Sequence, residues 1–327
     1  MKFKIEYLIL FVVILGVSIY LVYSERDETH YRLPETPAIS AEEISKLEIS
    51  KQDTPVILEK RNDDWYIMPQ DYPADTEKVK TMLQAIEDLS LTALVSESGS
   101  YQRYDLHPDK KITVTVWKNG SSIQSFAIGK TAPSFRHTFV SIQGDDNVYH
   151  AMGNFRNDFN KTVAELRDKM VLIFNTNDIQ EVTVTTEGKT THFKKNQVPV
   201  EVEVSEEAAE ADSAPAPQFE VVWETEDGRK GDKKKIDRFL QELSRLSCDS
   251  YVDDAKKADY TEAIYTVRLK GIETDTLSIF AKEGEDATRY PATSSQNGYP
   301  FHLRQGQAEN LMKEPETLVQ ATTEPGE

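Results

Sequence analysis

The sequence predicts an α+β fold: one N-terminal transmembrane helix followed by two similar modules of antiparallel strands with a packed helix each. Three observations carry that expectation. Residues 7–23, YLILFVVILGVSIYLVY, hold no charge. Two amphipathic helical stripes, far apart in the chain, match position by position. Val79, Met82, Leu83, Ile86 and Leu89 recur in one register as Ile236, Phe239, Leu240, Leu243 and Leu246. Around each stripe lie short segments in which apolar and polar residues alternate, the pattern of half-buried strands.

At 327 residues, with 38% apolar and 9% aromatic residues, the chain can build two cores. The uncharged run reaches the lower limit for a membrane span. Tyr7, Tyr20 and Tyr23 sit near its ends, where amphipathic rings favour the headgroup layer. Lys2 and Lys4 precede the run and the acidic stretch SERDETH follows it, so the positive-inside rule puts the N-terminus in the cytoplasm and the bulk outside. Residues 1–23 therefore read as a signal anchor. The competing reading is a cleaved signal peptide with Gly16 and Ser18 as its small residues, against which the apolar run continues through Ile19, Leu21 and Val22. A net charge of −18 sets the surface against phosphate backbones, so nucleic acid is not expected as a partner. Cys248 is the only cysteine, which excludes an intrachain disulfide and a cysteine-based zinc cage.

Residues 24–40 are polar with two prolines and read as a stalk. The first module, residues 41–175, opens with the segments ISKLEIS, PVILEK and DWYIM as a meander. The stripe from Val79 to Leu89 follows as a helix with Asp75 or Thr76 as its cap. Next, ITVTVWKNG ends in the hairpin dipeptide Asn119-Gly120, SFAIGK returns, and TFVSI and VYHA flank a turn at residues 143–146. A closing helix is expected from Phe155, Phe159, Val163, Leu166 and Met170, which fall on one helical stripe. The second module, residues 176–313, repeats the order, with Trp223 in the place of Trp65, AIYTVRLKG matching ITVTVWKNG, and RYPATSSQNGYPFHL in the place of the second hairpin. Residues 199–218 are acidic and rich in Ala and Pro, a disordered insertion; residues 314–327 read as a disordered tail.

Candidate chemistry is sparse. Gly129-Lys130-Thr131 is how a phosphate loop ends, but Gln124 stands where that loop needs its first glycine and no helical period follows. The tripeptide reads instead as the link between two hairpins. No two of the six histidines have the spacing that places imidazoles on one helix face. His150 and His302 occupy matching places in VYHA and PFHL: a symmetric metal or proton site, or a strand residue retained in both halves. Asp63-Asp64, Asp145-Asp146 and Asp253-Asp254 supply carboxylate pairs, and Asp145-Asp146 lacks the alternating ligand run of a calcium loop. Ser98 and Ser100 flank Gly99 without a nucleophile elbow, and Cys248 reads as a small core residue. Tyr101, Tyr104 and Trp117 offer either a sugar-binding face or strand packing. No catalytic, cofactor-binding or metal-binding residue is assigned, and no cofactor is implied.

The segments YDLHP at 104–108, ITVTV, FAIGK, TFVSI with VYHA, and ELRDKMVL at 165–172 resemble, in that order, a bacterial membrane-anchored family: the domain of unknown function numbered 4340. The resemblance covers residues 1–175 chiefly. The family typically carries glycine where this chain has Asp105. Its members are often encoded beside the ATPase and permease of ABC transporters of the gliding-motility auxiliary type. The resemblance thus implies a non-enzymatic accessory or scaffold subunit of such a system. It would be a single-pass protein of the bacterial inner membrane, anchored through residues 7–23, with its bulk periplasmic and the permease and ATPase as partners. A cell-envelope glycan-binding module and a carboxylate-based hydrolase remain as alternatives.

Overall fold

The structure, a computed structural model, describes residues 5–24, 31–52, 54–199, 219–284 and 287–320. Of the acidic insertion expected at residues 199–218, Pro199 ends a strand and residues 200–218 lie outside the described residues. An N-terminal helix, α1 (Ile5–Ser24), carries the uncharged run. Its side chains are described from 10 to 20, all exposed. Among the described residues no helix is long and apolar enough to cross a membrane. The remainder is a mixed α+β chain of large antiparallel sheets and few helices, divided into two compact units, Met1–Arg167 and Asp168–Glu327.

In the first unit, β1 (Lys46–Lys51), β2 (Thr54–Arg61), β3 (Asp64–Met68) and β4 (Tyr72–Pro73) form the meander. Helix α2 (Thr76–Glu87) and strand β5 (Leu91–Ser96) follow. Then come β6 (Ile112–Lys118), β7 (Ser121–Thr131), β8 (His137–Ile142) and β9 (Val148–Met152). The unit closes with two one-turn helices, α3 (Arg156–Phe159) and α4 (Val163–Leu166). One sheet holds all nine strands, in the order β4-β3-β2-β1-β6-β7-β8-β9-β5. Asn119 and Gly120 both have positive φ, 51° and 81°, as a two-residue hairpin turn between β6 and β7 requires.

The second unit opens with β10 (Met170–Ile173). Next are β11 (Glu181–Thr186), β12 (Lys189–Pro199), β13 (Phe219–Thr225), β14 (Lys230–Gly231) and α5 (Lys233–Leu243). The short strands β15 (Arg245–Ser247) and β16 (Ser250–Tyr251) lead to β17 (Ala263–Lys270), β18 (Thr274–Phe280), β19 (Arg289–Ser294), β20 (Phe301–Arg304) and α6 (Gln305–Leu311). The large sheet runs β14-β13-β12-β11-β17-β18-β19-β20-β16, the same order as the first, strand for strand.

Equivalent helices do equivalent work. Val79, Met82, Leu83, Ile86 and Leu89 are buried, as are Ile236, Phe239, Leu240, Leu243 and Leu246. Each helix is capped by an aspartate at the same point. Asp75 accepts from the Lys78 N–H and Asp232 from the Lys235 N–H, each at 3.2 Å, which satisfies one of the orphan donors at a helix start. The backbone N–H of each cap donates in turn to a closing segment, Asp75 to the Leu166 carbonyl and Asp232 to the Leu318 carbonyl, both at 2.7 Å. Trp65 and Trp223 stand one residue-pair away, beside Ala74 and Gly231 respectively.

Several expectations need correction. Phe155 to Met170 is not one helix. The capping box of Thr162 and Glu165 starts a second short helix, and Met170 belongs to β10, which pairs with β15 in the second unit. The unit boundary accordingly falls at Arg167, before residue 175. Gly129-Lys130-Thr131 is not the link between hairpins; it is the end of β7, past a register shift after Ile128, and residues 132–136 make the link. As the missing helical period leads one to expect, the next element is a strand, β8, and not a helix. The segment after Glu314 is not wholly tail: residues 315–318 form a 3-10 turn with Pro315 and Leu318 buried, and Leu318 joins the second core.

Leu83→Ala and Leu240→Ala are each expected to lower unfolding free energy by about 2–5 kcal/mol, the range for buried leucine truncation. Denaturant titration of the full chain measures the loss. Hydrogen exchange should localise it mainly to the unit that carries the change.

Candidate functional site

On the first sheet the face opposite α2 carries a cover. Residues 97–111 leave β5, make a 3-10 turn at Tyr101–Tyr104 and lie against β7 and β8 before entering β6. Leu106 is buried with Ala127, Ala132, Phe139 and Val148, a small second core with Tyr101 and Tyr104 packed against it. The Tyr104 ring sits 4.8 Å from that of Phe139. Two conformational details make the cover possible. Asp105 adopts the left-handed region at φ 56°, ψ 32°, a conformation that glycine takes without strain. Aspartate tolerates it, and its carboxylate meets Lys110 Nζ at 3.2 Å. Gly129 is required by close approach: a Cβ there would lie 2.2 Å from the Tyr104 carbonyl oxygen.

Arg156 pins the arrangement from α3. Its guanidinium donates to the carbonyls of Ile128 (2.8 Å), Gly129 (2.6 Å) and Lys110 (2.6 Å). Burial pushes its pKa down, with Asp105 acting the other way. Sequence reading passed over Arg156. The signal was a lone arginine between Phe155 and Phe159 on an apolar stripe, where a charge must find several acceptors.

Beside the cover lies a groove of about 400 Å³. Tyr101, Leu106 and Pro108 form its apolar side; Thr113, Ser125 and Ser141 line it with hydroxyls; Lys111 and Asp145 contribute opposite charges. Tyr101 donates its hydroxyl to the Asp146 carbonyl at 3.0 Å, tying the cover to the β8–β9 turn. Asp145 is occupied locally, accepting from the Asn147 N–H at 2.9 Å and from the Tyr149 hydroxyl. Burial, then that bond to Asp145, pushes the Tyr149 phenol up.

The other candidates separate. Of the three aromatics, Tyr101 lines the groove, Tyr104 is packing, and Trp117 lies on β6 beneath Lys46, whose Nζ is 4.9 Å from the ring. Ser98 shares its hydroxyl with Ser96 (3.0 Å) and Ser100 (3.1 Å). Cys248 is buried in the second core. Asp63, Asp64, Asp253 and Asp254 are exposed. Among the described residues no group of three or more His, Cys, Asp or Glu is placed to hold a metal ion.

His150 and His302 do take equivalent places, opposite Phe139 and Pro291 on the neighbouring strands. Their surroundings differ. His150 stacks on His137 at 5.2 Å, whereas Arg289, the counterpart of His137, pairs with Asp249 at 2.8 Å. Burial lowers both imidazole pKa values, assisted by His137 in one case and Arg289 in the other.

The family model of a domain of unknown function, DUF4340, matches residues 65–262, more than half of the chain and well into the second unit. The chain belongs to this family. No curated relative and no solved structure matches it.

Gly129→Ala is expected to cost roughly 1–3 kcal/mol, the range for forced overpacking, whereas Asp105→Gly should stay within about 1 kcal/mol, because it exchanges a surface ion pair for an unstrained backbone. Thermal or denaturant unfolding of the two variants checks both. For His150, a folded pKa below its ordinary value means that acidification must charge a group the fold holds neutral. Stability present above the ordinary histidine value, about pH 6.5, should be lost as the pH falls below it and through the lowered folded value, and His150→Gln should flatten that dependence.

Proposed function

We propose that this DUF4340 protein is a non-enzymatic, membrane-anchored extracytoplasmic scaffold, an accessory subunit of an ABC-type transport system. The uncharged run 7–23, with Lys2 and Lys4 before it, supports a single-pass anchor whose N-terminus is cytoplasmic. A large apolar helix surface left exposed, from Leu10 to Tyr20, fits a lipid environment. Two sheets of one strand order behind one anchor suit a protein that presents surfaces to partners. The transporter permease and ATPase enter from what the family resemblance implies.

The observation that carries the scaffold reading is Phe135. It sits at the tip of the β7–β8 link and is 75% exposed, between the exposed Ser134 and Arg136. Its φ is +57°, a region that costs a bulky L-residue roughly 1–2 kcal/mol. The tip is held rather than loose: the Phe135 N–H donates to the Ala132 carbonyl (2.9 Å), the Ala132 N–H to His137 (2.8 Å) and the Gly153 N–H to Arg136 (2.8 Å). Met152, 53% exposed, pairs with His137 beside it. A large aromatic kept in a strained backbone and turned to solvent has no folding benefit to explain it; contact with a partner explains it.

Full-length protein extracted from its native membrane in mild detergent should carry the permease and ATPase through purification. Phe135→Ala should cut their recovery about 30-fold, as loss of a 2 kcal/mol contact implies. Ile272→Ser, at an exposed apolar site of the second unit, should leave it unchanged. Phe135→Gly should lose the partners equally while unfolding no earlier than the parent, because glycine relieves the strain. Purification free of transporter subunits sinks the proposal.

A further inference from the structure

The groove beside the cover is the middle of a longer depression. It shares Pro108, Lys111 and Thr113 with a neighbouring hollow of about 510 Å³ that reaches Ser50. On its other side it shares Ser125 and Gln143 with one of about 370 Å³. Together they cross β1, β6, β7 and β8, which are successive neighbours in the sheet. At about 4.8 Å between strands this makes a trough roughly 15 Å long, at right angles to the chain direction.

Its chemistry narrows the occupant. The bed is a row of side chains that both donate and accept: Ser50, Thr113, Ser125, Ser141 and Gln143. Thr115 and Ser125 share one hydrogen bond across the strands at 3.2 Å, which leaves the Ser125 hydroxyl a further lone pair. Tyr101, with Leu106, supplies an apolar wall. Lys111 stands among Asp145, Asp109 and Glu35, so the lining is net negative and turns anionic occupants away. An extended peptide gains its affinity by adding to a sheet edge, where free N–H and C=O groups await it, not by crossing a face. A nucleic acid meets an acidic chain. A linear glycan without anionic groups suits the bed and the wall: hydroxyls along its length for the polar row and C–H faces for the tyrosine.

We propose that the outer face of the first sheet is a binding trough for a linear neutral glycan, with Tyr101 as its platform and the Thr113–Ser125–Ser141 row as its bed. This is independent of the scaffold reading, since the Phe135 tip lies outside the trough lining. The test uses full-length protein in a detergent without a sugar headgroup, titrated calorimetrically with chito-oligosaccharides, cello-oligosaccharides and xylo-oligosaccharides. At least one series should bind, with affinity rising with chain length up to the span of the trough. Tyr101→Ala should weaken binding about tenfold or more. Because that change also removes the tie to Asp146, Ser141→Leu serves as a second variant: it fills the bed, leaves the Tyr101–Asp146 tie in place and should abolish binding while the unfolding transition is retained. Absence of binding by all three glycans at millimolar concentration overturns the proposal. So does binding that survives Ser141→Leu, or preferential binding of an extended neutral peptide used as a control.

Discussion

One constraint shapes each unit: a nine-stranded sheet has a single long helix to cover its buried face. Nine strands at about 4.8 Å spread over roughly 40 Å. Helix α2 has 12 residues and α5 has 11, about 16–18 Å each. The apolar residues that one helix cannot reach must be buried by other means. In the first unit α3 and α4 bring Phe155, Phe159 and Leu166 to the task, and Phe159 meets Phe126 edge to face at 6.4 Å. In the second, α6 and the 315–318 turn bring Leu311 and Leu318. The closing segments are therefore part of the core, and the bond from each helix cap to Leu166 or Leu318 is where helix and closure meet.

That division explains what the sequence disclosed. The helical stripes, the aspartate cap at position 75, the Asn119-Gly120 turn and the alternating strands are local patterns, set by residues within a turn or a hairpin of one another. Their repetition at matched positions made the repeated strand order legible. The closing segments were not legible, because their fold is fixed by contact with a distant helix start. Phe155, Phe159, Leu166 and Met170 fit a helical period by spacing alone, while Thr162 and Glu165 signalled the break as a capping box. Pro315 and Leu318 carry too short a pattern to stand out from a polar tail.

At the candidate site the same limit appears in another form. Gly129 and Asp105 are both explained by backbone geometry, one by close approach and one by a left-handed turn. Each belongs to a short motif, YDLHP or FAIGK, that sequence reading quoted separately. Only the fold shows that the two motifs touch, with the Tyr104 carbonyl over Gly129 and Arg156 bonded to both sides. These two motifs are thus parts of one packed cover. Sequence could place Tyr101, Tyr104 and Trp117 on nearby elements, but the side of the sheet and the neighbours of each ring decide their roles.

The two units agree in backbone and disagree in side chains, and that contrast bears on what the repeat is for. His150 and His302 hold the same position. Around one lies a stacked imidazole and around the other a carboxylate, Asp249, held by Arg289 at 2.8 Å and Arg304 at 2.7 Å. The hydrogen bond from Arg304, against some opposing burial, keeps the Asp249 carboxyl below the ordinary range, whereas burial and then the neighbouring His137 push the His150 imidazole down. What the two units share is framework: strand order, helix stripe, aspartate cap and closing bond. The polar side chains set on that framework differ at matched positions, so equivalent backbone places in the two units present different chemistry.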